Sequence, residues 1–134
     1  MQPKLDIDFI LLSNFIINRY KIQKFIFVAI GAVPGALLRW QINNDLIVNS
    51  IGSLLIGVLI GAGLKERFRL ILGVGFCGSC TTFSGWIFDV FSLFINQFYS
   101  QAIELTFHML SWGLFAALGG FLIGNKVKRY LAPS

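Results

Sequence analysis

Three glycines and four hydroxyl side chains are crowded into twelve residues in the middle of the chain. The segment reads Gly75-Phe76-Cys77-Gly78-Ser79-Cys80-Thr81-Thr82-Phe83-Ser84-Gly85-Trp86. It offers hydroxyl donors, backbone groups and aromatic ring edges, but it contains no lysine, arginine or acid. These groups suit a small solute that is handled by hydrogen bonding, and they suit covalent chemistry poorly. The segment is therefore predicted to form the functional site of the protein.

The elements that must position this segment are membrane helices. Of the 134 residues 56% are hydrophobic and only 13% are charged, and the mean hydropathy is +0.76. A spanning helix needs roughly 20 mainly apolar residues, and the predicted spans are 25–42, 46–64, 70–98 and 104–125. Polar backbone at membrane depth persists only where it is buried in protein or lines a wet cavity. The sequence thus predicts an all-α integral membrane four-helix bundle, and four short spans are expected to oligomerise to enclose a pathway.

The chain is predicted to form one domain with a tail at each end. Residues 1–24 are expected to be an N-terminal tail with a candidate interfacial helix from Phe9 to Ile22. The four spans occupy residues 25–128, and residues 129–134 form a C-terminal tail. Small residues recur at spacings that let helices pack closely in lipid. They are Gly31 and Gly35 in the first span, Ser53, Gly57 and Gly61 in the second, and Gly120 and Gly124 in the fourth.

Polar residues inside the other spans are candidates for the same site. Asn49 and Ser53 are four residues apart and share one face of the second span. An asparagine in a membrane either joins helices by hydrogen bonds or contacts a passing solute, and both alternatives stay open. Ser111 in the fourth span either lines the same route or bonds its own backbone. His108 is interpreted as a packing or interfacial residue.

Several classes of function are disfavoured. The spans contain no Ser/His/Asp arrangement, phosphate loop or carboxylate pair, so no enzyme activity is expected. Cys77 and Cys80 are interpreted as packing residues, because the single histidine is on another helix and a metal needs more ligands. A proton-coupled carrier needs a titratable group at depth, so a passive pathway is favoured. The basic residues lie at span ends, where they act as topology signals and anionic-lipid contacts rather than as a nucleic-acid surface.

Three motifs, in the same order along the chain, resemble those of the CrcB/Fluc family of fluoride channels. Gly31-Ala32-Val33-Pro34-Gly35-Ala36-Leu37-Leu38-Arg39-Trp40 resembles the family's G-x-x-x-G-A-x-x-R-[YW]. Val48-Asn49-Ser50-Ile51-Gly52-Ser53 resembles its V-N-x-x-G-S. The ten residues 75–84 resemble its G-F-C-G-G-x-T-T-F-S. The resemblance covers about residues 25–125.

The resemblance implies a passive, fluoride-selective channel subunit that exports fluoride from the cytoplasm and reduces its toxicity. It also implies an antiparallel dimer of dual-topology type, with two pores at the interface and a third helix broken near residues 78–81. A structural Na⁺, which is not transported, would be held at the break by the backbone carbonyls of Gly78 and Thr81. Arg39 matches the family arginine near a vestibule. The pore-lining residues carried over are Asn49, Ser53, Thr82, Phe83, Trp86 and Ser111.

The chain departs from the family pattern after Ser84. Gly85 and Trp86 stand where the family has Thr-Phe, so Trp86 takes the place of the second pore phenylalanine. A non-conducting partner subunit of a heterodimeric fluoride channel is therefore the alternative function. A small multidrug antiporter is a further alternative, but it would need an acid in the first span, and residues 25–38 contain none.

The basic residues also predict how the chain is oriented. Ten of the eleven Lys and Arg residues lie on the side that holds both termini, and Arg39 alone lies opposite. Because an excess of Lys and Arg in short loops marks the cytoplasmic side, we predict a multi-pass protein with cytoplasmic termini. The resemblance implies that the membrane is the cell (inner) membrane of a prokaryote. A chain that inserts in one direction needs an oppositely oriented partner to build an antiparallel dimer. The expected partner is a paralogue.

Overall fold

A computed structural model describes the backbone of residues 3–131 and the side chains of residues 18–130. All the regular structure in this part of the chain is helical. The elements are α1 (Pro3–Ile42), α2 (Asp45–Ala62), α3 (Glu66–Phe68), a π-helical segment (Arg69–Cys77), α4 (Gly78–Cys80), α5 (Ser84–Ile95) and α6 (Tyr99–Leu131).

Four stretches of these helices are long and apolar enough to cross a membrane. They are Asn18–Ile42, Asp45–Ala62, Glu66–Ile95 and Tyr99–Tyr130. The predicted all-α fold with four membrane spans is therefore confirmed. The boundaries differ at the N-terminal side, because α1 continues without interruption from the predicted tail, including the candidate interfacial helix, into the first span. Residues 1, 2 and 132–134 of the predicted tails lie outside the described part of the chain.

Capping residues define both ends of α2. Asn43 adopts the left-handed conformation (φ 46°) at the turn that follows α1, a conformation that asparagine tolerates better than most residues. The side chain of Asn44 then accepts a hydrogen bond from the Ile47 N–H at 3.0 Å, which satisfies one of the free amides at the start of the helix. Gly63 ends α2 in the left-handed conformation (φ 63°). The second span thus begins and ends sharply.

Close approach of backbones holds the bundle together in two pairs. Gly57 and Gly61 of α2 and Gly120 and Gly124 of α6 have no room for a Cβ atom, since it would meet the backbone of the facing helix. Gly31, Gly35 and Gly75 do the same where α1 packs against the π-helical segment. In lipid, such small residues permit the dispersion contacts that drive helix association. The small-residue faces expected from the sequence therefore lie at these two interfaces.

The buried apolar side chains collect around the third span. Val48, Cys77, Cys80 and Trp86 are at most 5% exposed, and both cysteines are free thiols. Most of the large apolar side chains elsewhere point outward, as expected for a surface that faces lipid or another subunit. The best-packed part of the chain is therefore the region that holds the hydroxyl-rich segment.

Candidate functional site: a groove beside the interrupted third span

The third span loses its helical structure between α4 and α5, at residues 81–83. The Thr81 N–H and hydroxyl both donate to the Cys77 carbonyl, each at 2.9 Å. Thr81 itself is extended, with φ −90° and ψ 126°. The next amide, that of Thr82, donates at 3.0 Å to the side chain of Asn49 on α2. The backbone therefore leaves the helix at Thr81 and is held by a neighbouring helix.

Asn49 makes two hydrogen bonds to the backbone of a single residue of the interruption. Its Oδ1 accepts from the Thr82 N–H at 3.0 Å, and its Nδ2 donates to the Thr82 carbonyl at 3.2 Å. Both backbone groups are thereby satisfied without water, as buried backbone requires. These are the interhelical bonds that were one of the two alternatives left open by the sequence, and contact with a solute stays a prediction. A second Nδ2–H remains for another acceptor, because a primary amide carries two.

A groove of about 400 Å³ opens beside this pair. Five of the six residues predicted to line a pore meet there, together with Thr81 and four residues of α6. The predicted residues are Asn49, Ser53, Thr82, Phe83 and Trp86. The sixth, Ser111, is half-buried on α6 and is not among the lining residues.

The wall that α6 contributes consists of Met109, Leu110, Gly113 and Leu114. A Cβ atom on Gly113 would lie 3.7 Å from the Ser53 hydroxyl oxygen, an ordinary van der Waals contact, so Gly113 faces Ser53 directly. Sequence reasoning missed Gly113, although its spacing of seven residues before Gly120 places both on one helix face. This spacing could have identified Gly113 from the sequence.

The hydroxyls of Ser53 and Thr82 donate no hydrogen bond to any described residue. No buried side-chain nitrogen or oxygen lacks a partner in the described residues, so these two hydroxyls are accessible rather than sealed in the core. The same holds for the indole N–H of Trp86, which has no partner among residues 18–130 either. The groove therefore offers hydrogen-bond donors that this part of the fold does not use.

The two aromatic residues of the groove differ in exposure. Phe83 is 62% exposed and Trp86 is 5% exposed. Their rings pack edge to face, with centroids 4.6 Å apart and an interplanar angle of 74°. Aromatic edges carry partial positive charge, so an exposed Phe83 edge can face an anion. Trp86 mainly fills the space behind it.

Arg39, predicted to lie near a vestibule, is bonded at the interruption. Its Nη1 donates to the Cys80 carbonyl at 3.2 Å, and its Nη2 forms an ion pair with Asp45. The two side chains are 20% and 24% exposed. Sequence reasoning assigned no role to Asp45, because a contact between the end of α1 and the start of α2 depends on the turn between them.

The residues at the interruption fit the carbonyl-bound cation that the resemblance implies. The Thr82 amide, which would otherwise bond the Gly78 carbonyl one turn earlier, donates to Asn49 instead. The Gly78 carbonyl is therefore released from helical bonding, and the residue is exposed. Among the described residues no three His, Cys, Asp or Glu side chains could share a metal. Any resident cation here would depend on backbone oxygens.

The model of one protein family, described as CrcB-like protein, Camphor Resistance (CrcB), matches residues 26–121. This chain belongs to the CrcB family. The match includes α2, the interrupted third span and most of α6, so every residue of the groove lies within it. The resemblance found in the three sequence motifs is thereby confirmed.

Three relatives of this chain are named as fluoride-specific ion channels. The chain is 47% identical over 97 residues to the fluoride-specific ion channel FluC 2 of Prochlorococcus marinus (strain MIT 9313). The aligned region covers 72% of this chain and 78% of that protein. It is 39% identical over 121 residues to FluC 1 of strain SARG / CCMP1375 of the same species, covering 90% and 98%. FluC 2 of that second strain is 33% identical over 119 residues, covering 75% and 92%.

Proposed function

We propose that this chain is a subunit of a fluoride-specific channel that lets fluoride leave the cytoplasm passively. The observation that carries the proposal is the uncharged groove with the unused hydroxyls of Ser53 and Thr82. None of its ten lining residues bears a charge. The names of the relatives support the choice of fluoride among small anions.

The chemistry of the groove suits a small, strongly hydrated anion. Such an ion crosses a membrane only if protein groups replace its water. The free Nδ2–H of Asn49, the two hydroxyls and the exposed edge of Phe83 supply donors in series. A fixed cation in the groove would hold the ion, whereas neutral donors bind it weakly enough to release it.

Passive export is sufficient for the proposed role. Hydrogen fluoride crosses lipid as a neutral acid and ionises in a near-neutral cytoplasm, so fluoride accumulates there. An inside-negative potential favours the exit of each anion by about 2.3 kcal/mol per 100 mV. A pathway that conducts fluoride therefore lowers its concentration without an energy source of its own.

We further propose an antiparallel dimer in the cell (inner) membrane, in which this chain has cytoplasmic termini and its partner is an oppositely oriented paralogue. The charge bias of the termini and loops supports the orientation. The pair of numbered FluC proteins in one strain supports a two-gene channel. A structural Na⁺ held by the Gly78 and Thr81 carbonyls at the interruption would join the two subunits.

A non-conducting role for this subunit is the second candidate, and one observation favours it. The indole of Trp86 carries an N–H at the groove that no described residue accepts. Its bulk or its additional donor would close the route or hold an anion too long. In that case the conducting pore of the dimer would depend on the partner's residues.

The test is fluoride efflux from liposomes that contain this chain alone, a paralogue alone, or both. Potassium fluoride is trapped inside, a potassium ionophore starts the efflux, and an electrode records fluoride outside. We expect fluoride to leave and chloride to be retained when both chains are present. Retention of fluoride in all three preparations, with the proteins folded, would contradict the proposal.

A further inference from the structure

Gly85 leaves the space in which Arg39 and Asp45 meet. It is the second residue of α5. A Cβ atom at this position would lie 2.5 Å from Arg39 Nη2 and 2.9 Å from Asp45 Cγ, and real Cβ atoms do not come that close to other atoms. Any residue other than glycine at position 85 would therefore displace the carboxylate or the guanidinium.

The residues of the ion pair do not line the groove, but they are neighbours in the chain of residues that do. Asp45 precedes Asn49 by four residues on α2, about 6 Å along the helix axis. Gly85 lies between Phe83 and Trp86, which both line the groove. Arg39 also bonds the carbonyl of Cys80, the last residue before the interruption. An anion bound beside Asn49 would therefore lie within a few helix turns of the pair.

Asp45 sets the net charge that the ion pair presents to such an anion. In the described part of the chain it is the one acid that pairs with Arg39. With the carboxylate in place, the pair is neutral overall. Asp45 lies about 6 Å from Asn49 along the helix axis, so without the carboxylate the unit positive charge of its partner Arg39 would stand on the order of 10 Å from Asn49. At that distance a single charge changes the apparent affinity for an anion roughly two- to twentyfold, for effective dielectric constants between about 80 and 20.

We propose that Asp45, in the space left by Gly85, is a positioning residue that cancels the Arg39 charge and so keeps the groove beside Asn49 a weak site for anions. The proposal rests on the proposed function, because it concerns how the channel binds fluoride. Weak binding favours release at high concentration, since an ion held by a fixed charge leaves slowly. Asp45 and Gly85 then set the working concentration range of the channel.

The proposal is tested by measuring flux against fluoride concentration in liposomes that hold the conducting assembly. Asp45→Asn keeps an acceptor for Arg39 and removes the negative charge, and Gly85→Ala separates the carboxylate from the guanidinium. Asp45→Asn should lower the half-saturating fluoride concentration roughly two- to twentyfold, and Gly85→Ala, which leaves both charges in the protein, should lower it by less. The shift should shrink when impermeant salt is raised from about 10 to about 150 mM, because screening weakens a charge at this distance.

Two comparisons separate a charge effect from damage to the fold. Asp89→Asn removes an equal charge from an exposed position on α5, and it should leave the half-saturating concentration unchanged. In an Arg39→Gln background, Asp45→Asn should cause no further shift. If Asp45→Asn lowers only the maximal flux, or shifts half-saturation equally in the presence and absence of Arg39, the proposal is wrong.

A second readout keeps this inference separate from the proposed function. If the wild-type assembly carries no fluoride, the proposed function fails, and melting temperatures still test the contact. Asp45→Asn and Gly85→Ala should each lower the melting temperature by a few degrees, and the double variant should fall no further than the worse single one, because both disrupt the same contact. Additive losses would mean that Gly85 does not act through Asp45.

Discussion

Replacement of Asn49 by aspartate tests the hydrogen bonds at the interruption with a change of almost no volume. The carboxylate still accepts from the Thr82 N–H, but it cannot donate to the Thr82 carbonyl, 3.2 Å away. An acceptor left without its donor costs about 1–3 kcal/mol. Repulsion between the new charge and the carbonyl oxygen adds about 1 kcal/mol. Together these disfavour the observed arrangement roughly 30- to 1,000-fold.

Fluoride efflux and thermal unfolding measure the two consequences. We expect Asn49→Asp to abolish efflux and to lower the melting temperature. Lowering the pH should partly restore the melting temperature, because a protonated aspartate donates one hydrogen bond as the amide does. Asn44→Asp is the matched control. It makes the same chemical change at the helix cap, where aspartate serves as well as asparagine, so the melting temperature should stay at wild type at every pH.

Two results would refute this reasoning. Wild-type efflux from Asn49→Asp would show that the amide neither holds the interruption nor contacts the ion. A melting temperature that is unchanged at every pH, together with lost efflux, would show that Asn49 contacts the ion without holding Thr82. Asn49→Leu distinguishes charge from hydrogen bonding, because it removes both bonds and adds no charge. It should lose efflux and lower the melting temperature at every pH.

The remaining predictions concern the aromatic wall, the dimer and the orientation. Trp86→Phe should raise fluoride flux through this subunit's groove, because it removes bulk and an N–H donor; unchanged or reduced flux would show that the indole suits this pore. Gly78→Val should abolish dimerisation while the monomer stays folded, since a Cβ atom there meets nothing closer than 3.8 Å within the described chain. Gly124→Val should instead unfold the monomer, because its Cβ atom would meet the Val58 carbonyl. Cysteines placed at the termini should be labelled only from the cytoplasmic side, and labelling from both sides would contradict the heterodimer.

Patterns local to one helix could be read from the sequence, and contacts between helices could not. Hydropathy predicted four spans, and glycines spaced by four predicted faces at which helices pack closely, but not which helices meet there. The ion pair of Arg39 and Asp45 was not predicted, because it depends on the turn at Asn43 and on the space at Gly85. The π-helical segment was not predicted either, since its sequence has the same apolar character as an α-helix.

At the site, too, patterns within one helix could be predicted and contacts between helices could not. Asn49 and Ser53 could be paired from their spacing on α2, and the groove contains both. The bonds from Asn49 to Thr82 join residues 33 apart, and no periodicity in the chain indicates them. Ser111 was predicted to line a pore because its side chain carries a hydroxyl. The residue of α6 that faces the groove near Ser53 is Gly113, and Ser111 is not among the lining residues.

The hydrogen bonds of Asn49 also bear on the order in which the chain enters the membrane. The third span has 30 residues and would measure about 45 Å as an unbroken α-helix, against a hydrocarbon core of about 30 Å. Its interruption exposes backbone groups that lipid cannot satisfy, and Asn49 of α2 satisfies two of them, the N–H and the carbonyl of Thr82. Because α2 is synthesised earlier, the side chain that Thr82 needs is already in the bilayer when Thr82 arrives. If the third span preceded α2 in the chain, the N–H and carbonyl of Thr82 would enter the lipid before Asn49 was present to bond them.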